Sequence, residues 1–154
     1  MSGICAFFGH RDTVITTRLE EQITEVVRGL IARGIDEFWC CEQGTFDWVT
    51  RNIIFELKKE YRFIKVCCVC AYNPAKYPQI RQESLASMFD ELIYTAEIAD
   101  GLPRFAIVRR NRYIAKNANI VVCYITQQKS GAFRAVQCAE TAGAEIINIA
   151  KMTI

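Results

Sequence analysis

Short apolar runs alternate along the chain with longer amphipathic segments. Five runs have the length and continuity of strands buried on both faces of a parallel sheet. They lie at 4–8, 37–41, 64–71, 119–125 and 145–150, and apolar residues recur with helical spacing in 17–33, 46–60, 103–116 and 132–142. A capping-box pattern predicts Thr17 as the N-cap of the first helix, and Pro103 suits the first position of the third. Residues 84–94 are compatible with either a helix or an extended crossover.

Strands alternating with helices predict one α/β domain over residues 1–154, with a doubly wound, mainly parallel sheet covered by helices on both faces. We expect five strands in the order 3-2-1-4-5, numbered along the chain. This order places the loops after the first four strands at one edge. The switch point then lies between the first and fourth strands, where Gly9-His10-Arg11 faces Ser130-Gly131.

The first loop carries groups suited to an anionic ligand. Gly9 permits a sharp turn and a close approach, His10 is the only histidine, and Arg11 offers a fork of donors for phosphate or carboxylate. A structural interpretation is equally open, in which His10 caps a backbone group and Arg11 pairs with Asp12 or another acidic residue.

A second candidate is the start of the last helix. Ser130, Gly131 and Ala132 precede it, and the free N–H groups of a helix start favour an anion. The same residues are also common as a plain helix start. Neither a P-loop ending in Gly-Lys-Ser/Thr nor a Gly-x-Gly-x-x-Gly motif after the first strand is present, which disfavours ordinary dinucleotide-dehydrogenase binding.

The loop after the second strand contributes two carboxylates, Glu42 and Asp47, on either side of Gly44. A carboxylate here can accept hydrogen bonds from ribose hydroxyls. Alternatively, Asp47 only complements the dipole at the first turn of the second helix.

Composition and charge narrow the function classes. The chain has 154 residues and a formal net charge of +2, so charge alone gives no reason to expect nucleic acid as a partner. A run of basic residues fits a solvated helix face or a subunit interface better than a nucleic-acid face: Arg104, Arg109, Arg110, Arg112 and Lys116. No apolar run approaches the ~20 residues that span a membrane, and no signal peptide is recognisable, which predicts a cytoplasmic protein without membrane contact.

The cysteines have no spacing typical of zinc sites. Six of the eight lie inside the apolar runs, where free cysteine behaves as a small buried hydrophobe: Cys40, Cys41, Cys67, Cys68, Cys70 and Cys123. We therefore expect reduced core cysteines and no metal site.

Three motifs, in chain order, resemble the SLOG superfamily, which combines the Smf/DprA and LOG families. They are Cys-Ala-Phe-Phe-Gly-His-Arg at 5–11, Gly44-x-Phe46-Asp47, and 104–108 running into Asn111-Arg112-Tyr113. The chain is most similar to the YpsA-like, DUF1273-type small proteins over nearly its whole length. The resemblance implies a Rossmann-like domain that binds a nucleotide or nucleotide-derived ligand, requires no other cofactor, and forms homodimers or larger assemblies.

Pattern and resemblance together give a predicted set of ligand-binding residues in five stretches of the chain. The set is Gly9, His10, Arg11, Glu42, Gly44, Phe46, Asp47, Asn111, Arg112, Thr126, Ser130, Gly131 and Ala132. Phosphoribohydrolases of the superfamily carry Pro-Gly-Gly-x-Gly-Thr and, three residues later, a catalytic glutamate. In this chain Val136 takes that position and Glu140 lies one turn further on, so no catalytic residue is assigned; for an enzyme, Glu42 and Asp47 are the candidates.

The first functional hypothesis is therefore non-catalytic binding, in which the chain senses or sequesters a nucleotide-type small molecule. The alternative is an N-glycosidic hydrolase acting on a nucleoside monophosphate or an NAD-like substrate. A third hypothesis is an adaptor in DNA metabolism or cell division.

Overall fold

The computed structural model describes residues 3–152, which form six strands and six α-helices. The strands are β1 Ile4–Gly9, β2 Glu37–Cys40, β3 Lys65–Val69, β4 Glu91–Ile93, β5 Ile120–Tyr124 and β6 Glu145–Asn148. The helices are α1 Thr17–Ala32, α2 Thr45–Glu60, α3 Gln79–Met88, α4 Ala96–Ala99, α5 Ala106–Asn117 and α6 Gly131–Thr141. Short 3₁₀ turns occupy Pro74–Lys76, Pro103–Phe105 and Ile149–Lys151.

The strands form one parallel sheet in the order β4-β3-β2-β1-β5-β6. The five predicted strands are confirmed, and their predicted order is the order observed for β3, β2, β1, β5 and β6. The added strand, β4, has three residues and pairs with β3 at the edge. Three residues are too few for a hydrophobic period to indicate a strand, so β4 forms only because it pairs with β3. The carboxylate of Asp90, the residue before β4, also accepts from the Val66 N–H of β3 at 2.8 Å.

Two hydrophobic cores flank the sheet because successive side chains of a strand point to opposite faces. In β1, Cys5 and Phe7 pack with α1, α2 and α3, whereas Ala6 and Phe8 pack with α4, α5 and α6. The six cysteines of the apolar runs are buried, as is Cys5, and Cys138 on α6 is exposed.

Helix boundaries differ slightly from the prediction. The N-cap of α1 is Thr16, one residue earlier than expected, and its hydroxyl oxygen accepts from the Leu19 N–H at 3.1 Å. Pro103 opens a 3₁₀ turn, and α5 begins only at Ala106. Residues 84–94 contain the end of α3, as the helical alternative predicted, and then β4, a strand of the sheet that was not predicted.

Candidate functional site

The carboxyl ends of β1, β2 and β5 open onto a cavity of about 330 Å³, hereafter the edge cavity. It lies where the strand order reverses, with β1 between β2 and β5. Eight residues of the predicted set line it: Gly9, His10, Arg11, Asp47, Asn111, Ser130, Gly131 and Ala132. The loops after β1 and β5 thus face each other as the sequence predicted.

Two glycines allow the first two loops to pack together. A Cβ on Gly9 would lie 2.3 Å from the ring of Phe46, so this glycine permits α2 to pack closely against β1. Gly44 has a φ of +101°, and a Cβ there would lie 2.6 Å from the Cα of Arg11. The hydroxyl of Thr45 then donates to the carbonyl of Arg11 at 3.0 Å. Gly44 and the buried Phe46 therefore position the loop rather than line the cavity.

His10 is 6% exposed and connects the two facing loops. Its Nε2 accepts a hydrogen bond from the N–H of Thr126 at 3.0 Å. Thr126, which the sequence predicted as a ligand-binding residue, therefore holds His10 and does not itself line the edge cavity. Because Nε2 accepts a hydrogen bond from a backbone N–H, Nδ1 carries the ring hydrogen. Nδ1 is buried and has no hydrogen-bond partner among the described residues. A buried donor without a partner is costly, so it favours a ligand acceptor.

Arg110 is the main site residue that sequence reasoning missed. It lines the edge cavity although only 3% of its surface is exposed. Its Nε donates to Asn111 Oδ1 at 2.9 Å, and Nη1 lies 3.5 Å from the carbonyl of Val69 at the end of β3. Within residues 3–152 no carboxylate lies within the 4 Å of an ion pair with it. The edge cavity therefore contains a buried guanidinium that makes no direct ion pair among the described residues, although the Asp47 carboxyl group in the same cavity lies within range of its charge.

Asp47 supplies a buried carboxyl group to the same cavity. Its Oδ2 accepts from the N–H of Gln43 at 2.9 Å. Burial raises the pKa of Asp47 from 3.8 to about 6, although that hydrogen bond and the positive charges of Arg110 and Arg11 lower it. A carboxyl group with such a pKa in a cavity can exchange a proton near neutral pH.

The first turn of α6 leaves backbone donors facing the third side of the cavity. The hydroxyl oxygen of Ser130 accepts from the N–H of Phe133 at 3.0 Å, which makes Ser130 the N-cap. A Cβ on Gly131 would meet nothing within 4 Å, so the glycine leaves open space beside the helix start. The arrangement suits an anion, since the N–H groups of the first turn have no intrahelical partner.

Two further predicted residues lie outside the edge cavity. Glu42 is 3.6 Å from Arg51 in an ion pair and lines a smaller cavity at the end of β3, hereafter the distal cavity. Arg112 is exposed and lines an apolar groove between α5 and α6. Val136 takes the position of the hydrolase glutamate, and Glu140 lies one turn further on. Both line a separate depression beside β5 and β6. The carboxyl groups that line the edge cavity are those of Asp12 and Asp47.

The basic run is divided between different tasks. Arg109 donates to the carbonyls of Ile98 and Leu102 at 2.7 and 2.8 Å, and Lys116 pairs with Glu97, so both fasten the α4 region to α5. Arg110 is instead buried in the site. The expectation that the whole run forms a solvated helix face or a subunit interface is wrong for Arg110, because successive residues of a helix point in different directions and the Arg110 side chain is buried.

The described residues contain no group of three or more His, Cys, Asp or Glu side chains placed to hold a metal ion. Across 3–152, the helices are also too short or too polar to cross a membrane.

No protein-family model matches the chain, and no curated protein matches it. Solved structures that are similar to the chain include two of DNA processing protein A. DNA processing protein A from Streptococcus pneumoniae has a TM-score of 0.66 and 16% identity, with 94% of this chain and 49% of that chain covered. DNA processing protein A from Helicobacter pylori gives 0.61 and 15%, with 93% and 63% covered. The chain thus spans about half to just under two thirds of these proteins.

At this identity the likeness shows the fold. The Rossmann-like fold expected from the resemblance to the Smf/DprA–LOG superfamily is confirmed. The expectation that nucleic acid is unlikely as a partner is wrong. It rested on the small net charge and on the interpretation of the basic run as a solvated helix face or a subunit interface, whereas the Helicobacter pylori structure of the same fold concerns the single-stranded-DNA binding mode of that protein.

Proposed function

We propose, starting from the fold shared with DNA processing protein A, that this chain binds the phosphate of a nucleotide or nucleotide-derived ligand in the edge cavity. The chain would act by binding, as a sensor or a sequestering protein. A volume of about 330 Å³ lies at the lower end of the range for small-ligand sites, roughly 300–1,000 Å³.

The observation that carries the proposal is the buried, unpaired guanidinium of Arg110. Removing a charge from water costs several kcal/mol unless an opposite charge compensates, and a chain seldom retains such a group without a partner. A phosphate in the edge cavity supplies that partner. The unpartnered Nδ1 of His10 and the open start of α6 add neutral donors on two other sides of the cavity.

The test uses Arg11, because it is exposed and its side chain makes one hydrogen bond, to Gln43 Oε1 at 3.2 Å. Arg11→Ala should leave the fold intact and weaken ligand binding. A charge-assisted hydrogen bond is worth about 1.5–3 kcal/mol, which corresponds to roughly a 10- to 150-fold loss of affinity. Arg18→Ala is the matched control, since Arg18 is an exposed arginine on α1 that does not line the edge cavity.

Calorimetry against AMP, NAD, ADP-ribose and cyclic nucleotides measures the effect. Binding of at least one probe, weakened by Arg11→Ala and unchanged by Arg18→Ala, would support the proposal. It fails if the purified chain binds none of them at millimolar concentration, or if Arg11→Ala retains full affinity.

A second candidate is an adaptor function through single-stranded DNA, favoured by the likeness to DNA processing protein A. Arg112 and Arg134 are exposed and line the groove between α5 and α6 that adjoins the edge cavity through Ile107 and Gly131. A chain with Arg112→Glu and Arg134→Glu should then lose a mobility shift with oligodeoxythymidylate, and Arg18→Glu should not. A shift that survives the double substitution, or that the unaltered chain lacks, would remove this candidate. Arg109 is unsuitable for the test because its side chain fastens the α4 region.

A further inference from the structure

We propose that the distal cavity is a second subsite, which holds the sugar on the far side of the ligand's phosphate. The chain would then prefer ligands in which a phosphate bridge joins two sugars over mononucleotides that end at the phosphate. This inference rests on the proposed function, since the edge cavity places the phosphate.

The two cavities share a wall. Arg110 and Gln43 line both of them. The Arg110 side chain reaches from α5, where Nε contacts Asn111, toward the carbonyl of Val69 at the end of β3. Since the edge cavity opens beyond β1 and the distal cavity beyond β3, an anion bound by Arg110 lies where the two cavities meet. Groups attached on either side of that anion have a cavity each.

The size of the distal cavity limits what it can hold. Its volume is about 160 Å³, half of the 330 Å³ of the edge cavity. That is below the roughly 300 Å³ at which small-molecule sites begin, so the distal cavity suits one ring of a ligand rather than a whole nucleoside.

The lining of the distal cavity is suited to a ring that carries hydroxyl groups. A carboxylate, an amide, a phenol and two guanidinium groups line it: Glu42, Gln43, Tyr77, Arg81 and Arg110. The guanidinium of Arg81 stacks over the Tyr77 ring at 4.0 Å. Sugar hydroxyls both donate and accept, so they can use the carboxylate and the guanidinium groups together.

Three charged side chains share the lining of this cavity. Glu42, Arg81 and Arg110 line it together with Cys70, the residue directly after β3. Arg51 neutralises Glu42 from the α2 side, which leaves the positive charges of Arg81 and Arg110 in excess. The phosphate attached to the sugar therefore meets a favourable potential, and the sugar hydroxyls meet hydrogen-bond partners.

Calorimetry with three probes tests the inference: AMP, ADP-ribose and a five-residue oligodeoxythymidylate. ADP-ribose should bind at least tenfold more tightly than AMP. Arg81→Ala should remove that gain without changing AMP affinity, and Glu42→Gln should reduce it. Arg62→Ala is the matched control. Arg62 is exposed and precedes the amino end of β3, whereas the distal cavity lies at the carboxyl end of that strand.

The probes also separate the sources of a second sugar. If the oligonucleotide gains affinity over AMP and ADP-ribose does not, and Arg81→Ala removes the gain, the subsite holds a sugar of nucleic acid. Equal affinity for all three probes would overturn the inference, as would a gain that survives both Arg81→Ala and Glu42→Gln. Absence of binding for all three would overturn the proposed function itself, and the subsite with it.

Discussion

Replacing Asp47 with asparagine should make the protein more stable than the unaltered chain at pH 8. At pH 4.5 the difference in the free energy of unfolding between the two chains should be smaller. Asparagine has nearly the same shape, and its carbonyl can still accept from the Gln43 N–H that Asp47 Oδ2 binds at 2.9 Å. The substitution therefore removes mainly the ionisation of a carboxyl group that is 7% exposed.

The expected magnitude follows from the pKa of Asp47, which burial raises from 3.8 to about 6. Between these two values the native chain holds more protons than the unfolded chain, so its stability falls as pH rises. Above pH 6 the ionised Asp47 lowers the free energy of unfolding by about 3 kcal/mol in full, from ~1.4 kcal/mol for each pKa unit. About 1 kcal/mol of it is already present at pH 4.5, so about 2 kcal/mol separates pH 4.5 from pH 8.

Urea unfolding of both chains at the two pH values measures this difference. The stability advantage of Asp47→Asn should grow by about 2 kcal/mol between pH 4.5 and pH 8, which corresponds to roughly 4–8 °C in a thermal midpoint. Asp12→Asn is the control, because Asp12 lines the same cavity but is exposed. Its effect on stability should be small at both pH values, because its side chain is in contact with water.

An advantage of Asp47→Asn that is equal at pH 4.5 and pH 8 would refute this reasoning, and so would a growing loss of stability at pH 8. Either result would mean that the carboxylate is compensated inside the fold. Asp47 would then need no ligand or catalytic role to explain its place in the edge cavity.

Three further predictions concern the loops, the chemistry and the thiols. Gly44→Ala should lower the free energy of unfolding in urea by at least ~1–2 kcal/mol because of its positive φ and the backbone of Arg11, whereas Gly131→Ala should be nearly neutral; equal effects would contradict the loop geometry. If the chain hydrolyses N-glycosidic bonds, chromatography after incubation with AMP or NAD should show free base, and Asp47→Asn should abolish it; no turnover by the unaltered chain would count against hydrolysis. A thiol reagent should modify one cysteine quickly in the native chain, Cys138, and Cys138→Ser should eliminate that phase, since the other seven thiols are buried; several fast thiols would contradict the packing.

Much of the fold could be predicted from the sequence because its signals are local. The apolar runs of β1, β2, β3, β5 and β6 and the helical spacing between them depend only on which residues are near in the chain. Right-handed crossovers then leave few arrangements, and the observed order is one of them. β4 was missed because three residues carry no period of their own.

The candidate site could be predicted only in part. Residues directly after β1 and at the start of α6 were found, because the carboxyl ends of parallel strands meet at one edge of the sheet. Arg110 was assigned to a basic run that fits a solvated helix face or a subunit interface. Its side chain is buried instead, and the groups that surround a buried side chain come from parts of the chain far from it in sequence.

The sequence by itself thus determined the strands, the helices and the loops that meet at the edge of the sheet, since each depends on neighbouring residues. Only the tertiary structure decided that Phe46 fills the space left by Gly9 and that His10 Nε2 is occupied by Thr126. It also decided that Arg110 is buried and makes no direct ion pair within residues 3–152. Burial and pairing depend on groups far apart in the chain, and no local pattern records them.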